Sequence, residues 1–174
     1  MDRQTLINAV LFQLVWFACV VGSGRYGWFW PAIAATVLLV LSVRNANSAR
    51  HDVLLAIVLM PLGWLLDTLW IYLGVLDFRG LAVAPSWIVL LWLGLALTIN
   101  HSLSVLRDRP LIGALVVVLT APITYLAGER LGAVTVPEPM RLGWVSLAWG
   151  VLFYGVFRMA CSQLPTWSEE ARAS

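Results

Sequence analysis

Met60-Pro-Leu-Gly-Trp-Leu-Leu-Asp-Thr-Leu-Trp-Ile-Tyr-Leu-Gly74 decides what kind of molecule this is. The stretch is apolar enough to lie in a bilayer, yet it holds Pro61 and a carboxylate, Asp67. A charge in hydrocarbon is costly and is normally kept only where it faces a partner or a water-filled cavity. The question for the whole chain is therefore what Asp67 faces.

The surrounding composition agrees with a membrane setting. Of 174 residues, 61% are hydrophobic and 11% charged, with a mean hydropathy of +0.87. A water-soluble domain of this length would need more charge at its surface. Ten tryptophans fit the same setting, because Trp concentrates at bilayer interfaces. A net charge of +2, scattered between apolar runs, argues against nucleic acid as a partner.

Six apolar segments follow one another, at about 6–21, 28–43, 53–76, 87–106, 111–127 and 142–160. Each approaches the roughly 20 residues that cross a bilayer, and none alternates like a barrel strand, so helices are expected. The expected fold is all-α, a single domain over 1–174 built as a compact bundle of six transmembrane helices. The first segment is read as a retained helix rather than a signal peptide, since one Arg precedes it and no soluble domain follows. Residues 22–27 read as a tight turn, 44–51 as a polar loop containing His51, and Asp52 as the N-cap of the third helix. Pro122 is expected to interrupt the fifth.

Six spans put both termini on one side. That side carries Arg3, Arg44, Arg50, Arg107, Arg109, Arg158 and Arg172, against Arg25, Arg79, Arg130 and Arg141 on the other. The positive-inside rule then places both termini in the cytoplasm. Cys19 and Cys161 fall on opposite sides, too far apart for a disulfide. No Cys or His cluster suggests a metal, and no cofactor is implied. A weak 3+3 inverted repeat is suggested by Pro31–Val37 against Pro110–Val116 and by Leu62-Gly-Trp64 against Leu142-Gly-Trp144.

Helical spacing puts Gly63, Trp70, Ile71 and Gly74 on the face of Asp67, a small-residue face suited to packing on other helices. Pro61 removes the bond to the Ile57 carbonyl, where a kink is expected. On the fourth helix Trp92, Ala96, Asn100 and Ser104 form one stripe, with His101 beside it. Asp67, Asn100, His101 and Gln13 are the candidate polar site, as upper and lower parts of one path through the bundle. Trp64, Trp70, Trp92 and Ser104 are the candidate substrate-binding walls, and Trp149 also lies deep. Thr68, Tyr72, Thr120 and Tyr125 are weaker candidates. Arg25, Arg79, Glu129, Arg130 and Arg141 would cluster at the outer face, as ion pairs or as an anionic-headgroup surface.

Pro85-Ser-Trp87, Trp92, Thr98-Ile-Asn-His-Ser-Leu103 and Tyr125-Leu-Ala-Gly-Glu-Arg-Leu-Gly-Ala133 resemble a domain-of-unknown-function family of small multi-pass bacterial inner-membrane proteins. The resemblance runs from the first helix to the sixth. It implies the bacterial inner membrane and, through frequent neighbours that resemble cyclopropane-fatty-acid-synthase methyltransferases, a link to membrane-lipid chemistry. Membrane lipids, and other lipid-modifying membrane proteins, are the partners it implies; no catalytic residue is transferred. The leading expectation is membrane-lipid modification or handling, with an acyl chain or headgroup bound between helices. A small proton-coupled transporter and a structural subunit of a membrane complex are the alternatives.

Overall fold

The computed structural model describes residues 3–22, 29–43 and 46–163. The turn expected at 22–27, Arg25, Arg44 and the C-terminal tail with Arg172 lie wholly or largely outside them. The elements in order are α1 (Arg3–Gly22), α2 (Phe29–Val43), α3 (Ala46–Tyr72), α4 (Ser86–Ala96), α5 (Ser104–Arg107), α6 (Pro110–Arg130), a 3-10 turn (Pro139–Arg141) and α7 (Leu142–Gln163).

Four of these regions are long and apolar enough to cross a membrane: α1, most of α3, α6, and the 3-10 turn with most of α7. Shorter apolar helical stretches, Pro31–Val40 and Ser86–Ala96, lie in α2 and α4. Polarity is inverted relative to a soluble protein. Leu6, Val10, Leu14 and Phe17 on α1, and Leu111, Leu115, Leu119 and Ile123 on α6, point outward, while Asn8, Asp52, Asp67 and Thr98 are buried. Contiguous apolar faces of this extent suit lipid, not water. This is an all-helical membrane protein.

The packing turns on α4, which contacts α1, α2 and α3. One apolar core joins α3, α4, α6 and α7 through Leu59, Trp92, Tyr125, Phe153 and Phe157. A second joins α1, α2 and the end of α4 through Val15, Leu38 and Leu97. Trp87, Leu91 and Leu93 belong to both.

Three expectations about helix limits are corrected. Ala46 opens α3, so His51 and Asp52 lie inside that helix; Asp52 is no N-cap. Helices α3 and α6 run on through Pro61 and Pro122, so Pro122 does not interrupt. The fourth helix, expected to continue to about 106, leaves the α pattern after Ala96. Leu97 still bonds Leu93, but over 98–103 the backbone bonds reach back three residues (Thr98 to Leu95, Ile99 to Ala96, His101 to Thr98) or five (Leu103 to Thr98). The stripe Trp92–Ala96–Asn100–Ser104 therefore does not persist as one helix face.

At the end of the bundle where α3 stops, two loops form an ordered cap. Asp77 and Thr135 exchange backbone bonds of 2.9 and 2.7 Å. Val75, Leu76, Phe78, Val134 and Val136 point down into the core beneath them. Gly80 and Gly132 turn the chain at φ of +75° and +76°, a region where glycine has no steric cost. Arg79 donates to the Gly132 carbonyl at 2.8 Å, Glu129 accepts from the Val136 N–H, and Arg141 pairs with Glu138. Much of the charge expected at this face is thus spent within the cap.

Candidate functional site

Two polar centres occupy opposite ends of the bundle. At the capped end Asp67, only 2% exposed, accepts Trp92 Nε1–H at 3.0 Å on one oxygen and Tyr125 Oη–H at 2.5 Å on the other. Trp cannot accept a hydrogen bond, so the carboxylate is the acceptor there. Three helices converge on this one group. What lets Trp92 arrive is Gly63, one turn before Asp67: a Cβ there would fall 1.9 Å from the indole ring. Among the described residues no cation pairs with Asp67.

Aromatic rings continue from this centre. The Trp92 and Trp149 centroids are 4.9 Å apart, and Tyr125 meets Trp149 edge-on at 5.8 Å. Phe153 stacks 6.0 Å from Trp149 and Phe157 follows at 5.6 Å, giving an aromatic wall down α7.

That wall backs a cavity of about 550 Å³. One side is α1, with Phe12, Gln13 and Trp16; the other is α6, from Val116 to Ala127. Its floor is α4, with Ile88, Leu91 and Leu95, and Asp67 lies at its polar end. Helix α1 packs on α2 and α4, whereas α6 packs chiefly on α7. The space between α1 and α6 is thus a groove between outward-facing helices, lined mostly by apolar side chains.

The second centre lies at the opposite end and supports the unwound stretch after α4. Asn8 Nδ2 donates to the Leu97 carbonyl at 3.1 Å, and Asn8 Oδ1 accepts from Ser102 Oγ at 2.7 Å and Ser102 N at 3.3 Å. Asp52, fully buried, accepts Asn100 Nδ2 at 2.8 Å and lies 2.8 Å from His101 Nε2. In lipid a non-helical backbone must be satisfied by protein groups; Asn8 of α1 bonds the Leu97 carbonyl and the Ser102 N–H, while Asp52 of α3 holds the side chains of Asn100 and His101. Asp52 and Asp67 are fifteen residues apart on α3, about 22 Å by helical rise.

The leading candidates from the sequence now have places. Asp67 and Trp92 are bonded together at the groove, and Gln13 lines its wall. Asn100 and His101 belong to the Asp52 centre. Trp64 donates to the Ala84 carbonyl at 2.8 Å, tying α3 to the loop before α4. Trp70 is buried in the core, its indole N–H without an acceptor among the described residues. Ser104 opens α5 outside the groove lining. Asn8 was not singled out, and Asp52 was read only as a helix cap. Asn8 is a lone amide in an apolar helix, a signal in principle; Asp52 sits where a helix start is also a natural reading.

A family model described as protein of unknown function, DUF2878, matches residues 5–154. The chain belongs to this family. The match spans both polar centres and most of the cavity lining. Searches of curated proteins and of solved structures returned no match.

Proposed function

We propose that this DUF2878 protein acts in membrane-lipid modification or handling, taking an acyl chain from the bilayer into the groove between α1 and α6. One observation carries the reading: an apolar cavity of about 550 Å³, in the usual range of ligand sites, lies between two lipid-facing helices and ends at a buried carboxylate. The chain would lie along Leu91, Leu95 and Phe157, and the polar end of the ligand would reach Asp67 and Tyr125.

The same proposal includes a bacterial inner-membrane location and six crossings. Helix α2 is one of the two short crossings, and the segment 86–107, α4 with its unwound continuation and α5, is the other. With the Arg asymmetry setting the orientation, Asp67 lies on the outer side, five residues or about 8 Å below the end of α3. That is a depth close to lipid headgroups.

A proton-coupled permease is the second reading, supported by the unwound stretch at 97–103 beside the Asp52–His101 pair. Broken helices and buried acid–histidine pairs are what transporters place along ion paths.

The test is the lipid composition of a deletion strain, measured by mass spectrometry. Wild-type protein restores the composition, while Asp67→Asn and a groove-filling Thr120→Trp leave it altered. Full rescue by both variants removes the groove from the function.

A further inference from the structure

The groove's electrostatics say which head its ligand has. Resting on the reading of the groove as an acyl-chain site, we propose that the ligand is a cationic amphiphile, an alkyl chain ending in an ammonium group. Among the described residues Asp67 is the only carboxylate in the lining, which contains no Arg and no His. Both donors to Asp67, Trp92 and Tyr125, are neutral, so no described side chain balances a negative charge on its carboxyl group. An unpaired charge at low dielectric acts strongly on whatever enters beside it. An anionic head is repelled and an ammonium attracted.

The wall next to Asp67 has the matching chemistry. Trp92, Tyr125 and Trp149 present π systems whose faces attract cations, Trp most strongly, and aromatic surfaces of this kind recognise quaternary ammonium groups. The depths agree as well. Asp67 is five residues from the end of α3, Tyr125 five from the end of α6, Trp92 six and Trp149 seven from the starts of α4 and α7. All four lie about 8–11 Å below one end of the bundle, so an ammonium there leaves its chain running down the groove towards Leu103 and Leu106.

Asp67→Asn removes the charge without removing the bonds. A turned amide accepts from Trp92 through its oxygen and donates to Tyr125 Oη through its nitrogen. The experiment is native mass spectrometry of the full chain in a mild non-ionic detergent. It is titrated below micellar concentrations with hexadecyltrimethylammonium, palmitate and hexadecanol, and separately with phosphatidylethanolamine and phosphatidylglycerol of matched chains. The ammonium probe is expected to bind at least tenfold tighter than palmitate, with hexadecanol between them. Asp67→Asn brings the first two within about twofold and leaves hexadecanol unchanged, and Trp149→Leu weakens the ammonium probe alone. The phosphatidylethanolamine arm shows whether a bilayer phospholipid or a single-chain amine is the better source of the ammonium. Equal binding of the two charged probes, or a preference that survives Asp67→Asn, overturns the cationic head and leaves the groove standing. Failure of hexadecanol to bind, or its retention in Thr120→Trp, overturns the groove itself.

Discussion

Gly63 and Trp92 touch so closely that a methyl group on Gly63 would sit 1.9 Å from the indole ring. The missing side chain on α3 is therefore what seats the ring of α4 against Asp67. Gly63→Ala must push the ring away and break the Trp92–Asp67 bond. The expected loss is about 1–3 kcal/mol for overpacking, seen as a lower thermal midpoint in detergent with a change in tryptophan fluorescence. An unchanged midpoint would mean that the two helices are not in contact there.

Tyr125→Phe deletes one donor and leaves an oxygen of Asp67 buried without a partner. It is expected to destabilise by about 1–3 kcal/mol, more than Asp67→Asn, which can keep both bonds. Thermal unfolding of the two variants side by side gives the order.

Asn8→Leu strips the support from the unwound stretch, freeing the Leu97 carbonyl and the Ser102 N–H together. Each unsatisfied group costs about 1–3 kcal/mol. Hydrogen exchange should rise over 97–103 while Asp67 and its neighbours on α3 stay protected.

The two polar centres should behave as separate units. A double-mutant cycle on Asp52 and His101, 2.8 Å apart, is expected to show a coupling of about 0.5–3 kcal/mol, whereas Asp67 with His101 adds within about 0.5 kcal/mol. Strong coupling in the second cycle would instead make one continuous polar path.

The Arg asymmetry makes a topological prediction. A phosphatase reporter active only outside the cytoplasm, fused after Ser174, is expected to be inactive. High activity would invert the bundle and move Asp67 to the inner leaflet side.

Asp67 was legible from the start, because a carboxylate amid Leu and Trp has few explanations. Its small-residue face was legible too, through Gly63 one turn away. Tyr125 stood out only weakly, since a tyrosine at the end of an apolar helix is usually an interface anchor. The polar run Asn100-His101-Ser102 stood out, but it does not by itself specify that the helix unwinds over 97–103. The apolar period continues through Leu97 and Ile99, and the break is stabilised by Asn8, 89 residues earlier in the chain. Asp52 was hidden for a related reason: Ala46-Asn-Ser-Ala-Arg-His51 is polar enough to read as a loop, whereas the helix already runs there. Local pattern found the charge in hydrocarbon, while tertiary bonds decided its partner.

The central claim is that the groove between α1 and α6 holds an acyl chain. The most direct measurement incorporates a lipid with a photoreactive group in its chain into membranes containing the protein, then maps the labelled residues by mass spectrometry. The account predicts labels on Leu91 and Leu95, on the groove's floor, and their loss in Thr120→Trp. Labels confined to outward-facing Leu115 and Leu119, with α4 untouched, would contradict it.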